Sequence, residues 1–142
     1  VEPANVGLIL DSSVVIAGER RGHTVRQILE QFKNDFGETE IGLSVVAIVE
    51  LTHGIQRAGT EERRQRRQAF VDELIRDVPV HPVTLETARL AGRIEGDRAA
   101  QGVSIGFEDL LIAATALQLG FGIVTGNVRH FQAVPGLTVI QA

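Results

Sequence analysis

The chain has 142 residues, 44% hydrophobic and 23% charged, which suits one folded domain (residues 1–142) with its own core and excludes a disordered chain. Its net charge of −4 excludes a broad electrostatic binder of nucleic acid, and no apolar run reaches the roughly 18 residues of a membrane span. There are no cysteines, so disulfides and zinc–thiolate sites are excluded; the opening VEPANVGLILDSS has no basic leader or cleavage site, so the expected location is cytoplasmic.

Gly7 to Leu10 is a short apolar run, too brief for a helix and right for a central strand. It ends in Asp11-Ser12-Ser13, which reads either as a helix cap or as a functional carboxylate at a strand end, where open α/β sheets place ligands. A short helix begins at Val14, and Arg20-Arg21-Gly22 interrupts it. Val25, Ile28, Leu29, Phe32 and Phe36 then recur at helical spacing up to Gly37. Ile41-Gly42-Leu43 is a second strand, and Ser44 can cap the helix from Val45 to Ile55. Within that helix Glu50 is the one charge among Val46, Ile48, Val49 and Leu51, and a carboxylate among core residues needs a partner or a metal. His53 has no ligand spacing around it and reads as an ordinary polar residue.

Thr60-Glu61-Glu62 starts a helix that runs to about Ile75, with Phe70, Leu74 and Ile75 as apolar anchors. Lys33 is the only lysine; the other thirteen basic residues are arginines, and Arg63, Arg64, Arg66 and Arg67 cluster here as a solvated face. Val78, Val80 and Val83, around Pro79 and Pro82, form an edge strand. Thr84 caps the next helix, whose buried side comprises Leu85, Ala88, Leu90, Ala91 and Ile94; Glu95 and Asp97 read as solvated.

The stretch IGFEDLLIAATALQLGFGIVTGN, residues 105–127, organises the rest. Asp109 opens a run that is apolar on nearly every side and therefore a buried helix. Gly120 and Gly122 stop it, Ile123 to Thr125 form a strand, and Asn127 closes the turn after it. Val128 to Phe131 reads as a short helical turn, and Leu137 to Ile140 as the last strand. The order β-α-α-β-α-α-β-α-α-β-β predicts a three-layer α/β/α sandwich around a mainly parallel sheet of about five short strands.

In such a sheet the C-terminal strand ends share one rim, where Asp11, Glu50 and Asn127 can converge, joined by Asp109 if its helix N-terminus lies over the rim. Three converging carboxylates repel one another, and a hard divalent cation removes that penalty. Mg²⁺, with Mn²⁺ as a substitute, is the expected cofactor, and its chemistry suits hydrolysis of a phosphodiester. A receiver domain is discounted because it wants a late lysine, and a haloacid-dehalogenase-type phosphatase because Asp11-Ser12-Ser13 is not DxD.

LILDSSVVIA at 8–17, SVVAIVEL ending at Leu51, DLLIAATAL at 109–117 and VTGNVRHF at 124–131 resemble a PIN-domain protein of the VapC type over nearly the whole chain. The resemblance implies a Mg²⁺-dependent endoribonuclease, commonly a homodimeric toxin blocked by a small VapB-like antitoxin. Asp11, Glu50 and Asp109 match the family's acids and would be both metal ligands and the catalytic set, orienting a water for in-line attack on RNA. Ser12 and Thr125 resemble its small hydroxyl residues near the metal. Asn127 departs from the aspartate often found at the fourth position, which favours one tightly held ion, and Glu108 stands as a solvated residue or an outer-shell compensation for that loss. Arg20, Arg21, Arg64 and Arg67 are candidates to hold the RNA backbone, although six phenylalanines with no tyrosine or tryptophan argue against a base-stacking platform. The competing reading is a catalytically weak PIN module that binds RNA or a protein.

Overall fold

A computed structural model describes residues 6–142. The first five residues, part of the opening stretch read for a leader, lie outside the described residues. The elements in order are β1 (Gly7–Leu10), α1 (Ser12–Arg20), α2 (Val25–Phe36), β2 (Glu40–Ser44), α3 (Val45–Gln56), α4 (Glu61–Asp77), β3 (Val80–His81), α5 (Leu85–Ala100), α6 (Phe107–Leu119), β4 (Gly122–Thr125), a 3₁₀ turn (Val128–His130) and β5 (Val139–Gln141). The alternation of short strands and helices is the one expected.

The sheet has five strands in the order β3-β2-β1-β4-β5, and every pairing is parallel. β3 is indeed an edge, but only Val80–His81 pair, with Val78 and Val83 outside the strand. Alternation along β1 builds the layers. Leu8 and Leu10 point into a core with Val15, Val25, Ile28, Phe32 and Leu74, from α1, α2 and α4. Ile9 points into the other core, with Ile94, Ile112, Ile123 and Phe131. A strand buried on both faces is apolar at every position, which is why GLIL shows no polar alternation.

β1 is flanked by β2 on one side and β4 on the other. The chain builds outward through β2 and β3, then crosses back to lay β4 on the far side of β1. The crevice outside the carboxyl ends of β1 and β4 is therefore the topological switch point, where open α/β sheets hold ligands.

Several boundaries and faces differ from expectation. α1 begins at Ser12 rather than Val14, because Asp11 takes the N-cap backbone position. Gly122 is the first residue of β4 rather than a stop, and Gly120 alone ends α6, in the left-handed conformation at φ 73°. β5 starts at Val139, leaving Leu137 outside it. On α4 the buried residues are Val71 and Leu74, and Ile75 is exposed. On α5 they are Thr87, Ala91 and Ile94, whereas Leu85 and Ala88 face solvent. In both helices the face was right, with Leu74, Ala91 and Ile94 buried and Phe70 and Leu90 packed against the cores, but Ile75, Leu85 and Ala88 lie outside it, since isolated apolar residues are common on surfaces. α2 is held at its start by a capping box, Thr24 with Gln27.

Candidate active site

Asp11 follows β1 directly, and its N–H donates to the carbonyl of Val124 at 2.9 Å, so the β1–β4 ladder runs on to the site. Its backbone caps α1, yet its side chain makes no cap hydrogen bond. The carboxylate turns instead toward β4: Oδ2 accepts from Ser13 Oγ at 2.7 Å and from Thr125 Oγ1 at 2.9 Å. The residue is only 5% exposed. An aspartate that takes the cap position without capping, and is held by two hydroxyls at the edge of a core, is positioned for something other than ending a helix.

Thr125 is fully buried and serves twice, donating to Asp11 and accepting from the N–H of Asn127 at 2.9 Å. Ser13 likewise accepts from the N–H of Gly126 at 3.0 Å. The loop after β4 is thus tied to the loop after β1. Ser12 Oγ donates to Glu50 Oε2 at 2.8 Å, which brings α3 into the same cluster.

Asp109 lies in the first turn of α6 beside Glu108, where the helix N-terminus favours negative charge. Its Oδ2 is 3.3 Å from Nδ1 of His130. A Cβ added at Gly106 would stand 3.2 Å from that same oxygen, so the absence of a side chain there makes room for the carboxylate. Asp11, Glu50, Glu108, Asp109 and Asn127 all line one open cleft of about 760 Å³, with Arg20 at its margin. Asn127 is exposed, and among the described residues its side-chain amide makes no hydrogen bond.

Burial raises the Glu50 carboxyl above the usual glutamate range; the negative charges of Asp11, Glu108 and Asp109 add to this, against the lowering effect of the Ser12 hydrogen bond. Asp109 is raised by burial and by Asp11 and Glu108, with His130 working the other way. Among the described residues no three carboxylate or imidazole groups are gathered tightly enough to cage an ion by themselves. Mg²⁺ does not need such a cage: it keeps several waters and takes one or two carboxylates together with substrate phosphate. The carboxylate oxygens of Asp11, Glu50 and Asp109, two of these groups disfavoured as anions by burial and neighbouring charge, and hydroxyls that orient Asp11 and Glu50 fit a hydrated hard cation.

All seven residues singled out in the sequence thus belong to one neighbourhood. Asp11, Ser12, Glu50, Glu108, Asp109 and Asn127 line the cleft, and Thr125 lies behind Asp11. Ser13, Gly106 and His130 were missed as site residues. Ser13 had a signal, since a hydroxyl two residues after an aspartate is placed to bond it. His130 had a weaker one: it stands three residues after Asn127, and residues i and i+3 eclipse on a 3₁₀ turn. Of the arginines, Arg64 is spent on Glu61 at 2.6 Å and Arg21 lines a different hollow, so neither stands at the cleft.

The chain is thus an α/β protein with an all-parallel sheet and an acidic cleft at the switch point of that sheet. Residues 8–137 match the sequence model of the PIN domain. Over 135 residues the chain is 33% identical to Ribonuclease VapC1 of Rickettsia felis, covering 95% of this chain and 96% of that one. This chain belongs to the PIN-domain family, and within it to the VapC type. Its fold agrees with the DNA-bound VapBC structure from Salmonella typhimurium at a TM-score of 0.80 and 24% identity, over 96% of this chain and 98% of that one. It agrees also with VapBC-5 of Mycobacterium tuberculosis, a member of the VapBC family of toxin–antitoxin systems, at a TM-score of 0.73 and 24% identity, over 96% and 99% of the two chains. Among the described residues no helix is long and apolar enough to cross a membrane.

Proposed function

We propose that this chain is a divalent-cation-dependent endoribonuclease and the toxin of a toxin–antitoxin pair. The observation that carries the reading is the convergence of Asp11, Glu50 and Asp109, from three separate elements, on one open cleft in a chain of the VapC type. Asp11, Glu50 and Asp109 would hold the ion. When bound, Mg²⁺ or Mn²⁺ supplies charge neutralisation at a scissile phosphodiester and lowers the pKa of water.

The chain's own residues do the rest. Ser13 and Thr125 fix the Asp11 carboxylate, Ser12 fixes Glu50, and His130 sits against Asp109, so the acidic groups meet the substrate already oriented. Glu108 adds negative charge at the cleft. Asn127 contributes an uncharged amide where an acid would add repulsion, which favours a single ion. The cleft is open, so an antitoxin can silence the enzyme by laying a segment over it. A homodimer, expected of the VapC type, would cover apolar surface such as Val49, which is 62% exposed.

The test is cleavage of a total-RNA pool by the purified, antitoxin-free protein with Mg²⁺ or Mn²⁺, with chelator, and with Asp11→Asn as control. Discrete fragments that require both cation and Asp11 are expected. A folded protein that cuts nothing with any cation, or that cuts equally in chelator, overturns the reading; the first result makes the chain a binding module.

A further inference from the structure

Beside the acidic cleft lies a hollow of opposite charge. Glu19, Arg20, Arg63, Arg66 and Arg67 surround about 530 Å³ between the end of α1 and the first half of α4. Arg20 lines this hollow and the acidic cleft, and also a narrow slot of about 100 Å³ that Glu50 and Arg67 share, so the three openings adjoin one another at Arg20.

Among the described residues only Arg26, Arg64 and Arg76 of the arginines make ion pairs. On α4, Arg64 pairs with Glu61 and Arg76 with Asp77. Among the described residues none of Arg20, Arg63, Arg66 and Arg67 has an ion-pair partner. Arg63, Arg66 and Arg67 fall at i, i+3 and i+4, one face of the helix, where like charges destabilise. Arg67 is also fixed in place, its Nη1 donating to the carbonyl of Gly54 at 2.6 Å. Four guanidinium groups against the one carboxylate of Glu19 leave this hollow strongly positive on a chain whose net charge is −4. Guanidinium groups with free donor faces match phosphate oxygens.

We infer that this hollow is a track for the sugar-phosphate backbone of RNA, leading past Arg20 into the acidic cleft. The inference rests on the nuclease reading and extends it to how substrate is held. The cleft itself repels RNA through Asp11, Glu50, Glu108 and Asp109, so attraction has to come from elsewhere along the path, and this is a basic surface that adjoins the cleft at Arg20. An acidic protein segment would suit the arginines alone; their position beside the cleft, with Arg20 lining both, is what favours RNA.

The test compares the parent chain with Arg63→Gln/Arg66→Gln and Arg63→Lys/Arg66→Lys. These residues are exposed on a helix, and glutamine and lysine are good helix formers, so the variants fold, as circular dichroism will verify. Binding of a labelled single-stranded 20-nucleotide RNA is measured in chelator across a salt series, beside binding of polyglutamate. The glutamine variant is expected to lose about tenfold in affinity at low salt, and its salt slope to fall by about 1.4, from ~0.7 per phosphate contact. The lysine variant keeps the slope and loses less affinity. With divalent cation and a long RNA, KM rises in the glutamine variant while kcat is unchanged.

A parent chain that cuts RNA, with a glutamine variant unchanged in affinity and slope, overturns the track and leaves the nuclease standing. A variant that loses polyglutamate but not RNA overturns the track in favour of an acidic protein partner. A parent that binds RNA through these arginines but cuts nothing supports the track and overturns the nuclease.

Discussion

Thr125 Oγ1 donates to Asp11 Oδ2 at 2.9 Å, joining two residues 114 apart in sequence at the adjacent carboxyl ends of β4 and β1. Thr125→Val keeps the shape and deletes the hydroxyl. Asp11 is then held by Ser13 alone, and the N–H of Asn127 loses its acceptor. The expected result is a folded protein destabilised by about 1–2 kcal/mol, with cleavage reduced roughly tenfold as the acid loosens. Denaturant unfolding and single-turnover cleavage check both; an unchanged rate would show that Asp11 needs no second hydroxyl.

The Ser12–Glu50 hydrogen bond spans 38 residues and is the connection that holds Glu50 in place. Ser12→Ala and Glu50→Gln should each reduce cleavage. If the serine acts only through the glutamate, the double variant will be little worse than Glu50→Gln alone. Losses that simply add would mean that Ser12 touches substrate or ion independently.

Glu50 and Asp109 are both raised by burial and by neighbouring acids, and this has a sign for stability. The folded chain holds these protons to higher pH than the unfolded chain does. Below the ordinary carboxylate values of about 4 neither group costs anything, and stability is lost as pH rises through the raised folded values. In chelator, Glu50→Gln/Asp109→Asn should therefore melt no higher than the parent near pH 4 and a few degrees higher at pH 7. Adding Mn²⁺ at a hundred times its Kd should raise the parent by roughly 8 °C and leave the double variant unmoved. Parallel melting curves of the two proteins at every pH would contradict this.

Gly106 has an ordinary backbone conformation, φ −57° and ψ 140°, so it is not glycine for the sake of its dihedral angles. A Cβ there would press on Asp109 Oδ2 at 3.2 Å and, through it, on the contact with His130. Gly106→Ala should leave the melting temperature within a degree or two while lowering cleavage several-fold. A variant as active as the parent would show that Asp109 can shift without consequence.

Reading the chain as a sequence located the site's acids by incongruity. Asp11 at the end of an apolar run, Glu50 alone among aliphatic residues and Asp109 opening a buried helix each put a charge beside a core. The edges of the buried faces of α4 and α5 were less legible, because Ile75 and Leu85 look like core residues and are 44% and 64% exposed. Hydrophobicity alone cannot rank two candidate stripes on a helix; what packs against them does.

Local sequence was sufficient to determine that this chain alternates short buried strands with helices, and that acids stand at its strand ends and helix starts. Those are consequences of periodicity, turn chemistry and the cost of burying charge, all of which act within a few residues. Tertiary structure alone decided which atoms meet. The crossover that sets β4 beside β1 brings Thr125 to Asp11, Gly126 to Ser13 and Asp109 to His130. Among the described residues the same packing leaves Arg20, Arg63, Arg66 and Arg67 without an ion-pair partner beside the acidic cleft. Hydrogen-bond partners and charge neighbours depend on distances of a few ångström between segments far apart in the chain, and no local pattern contains them.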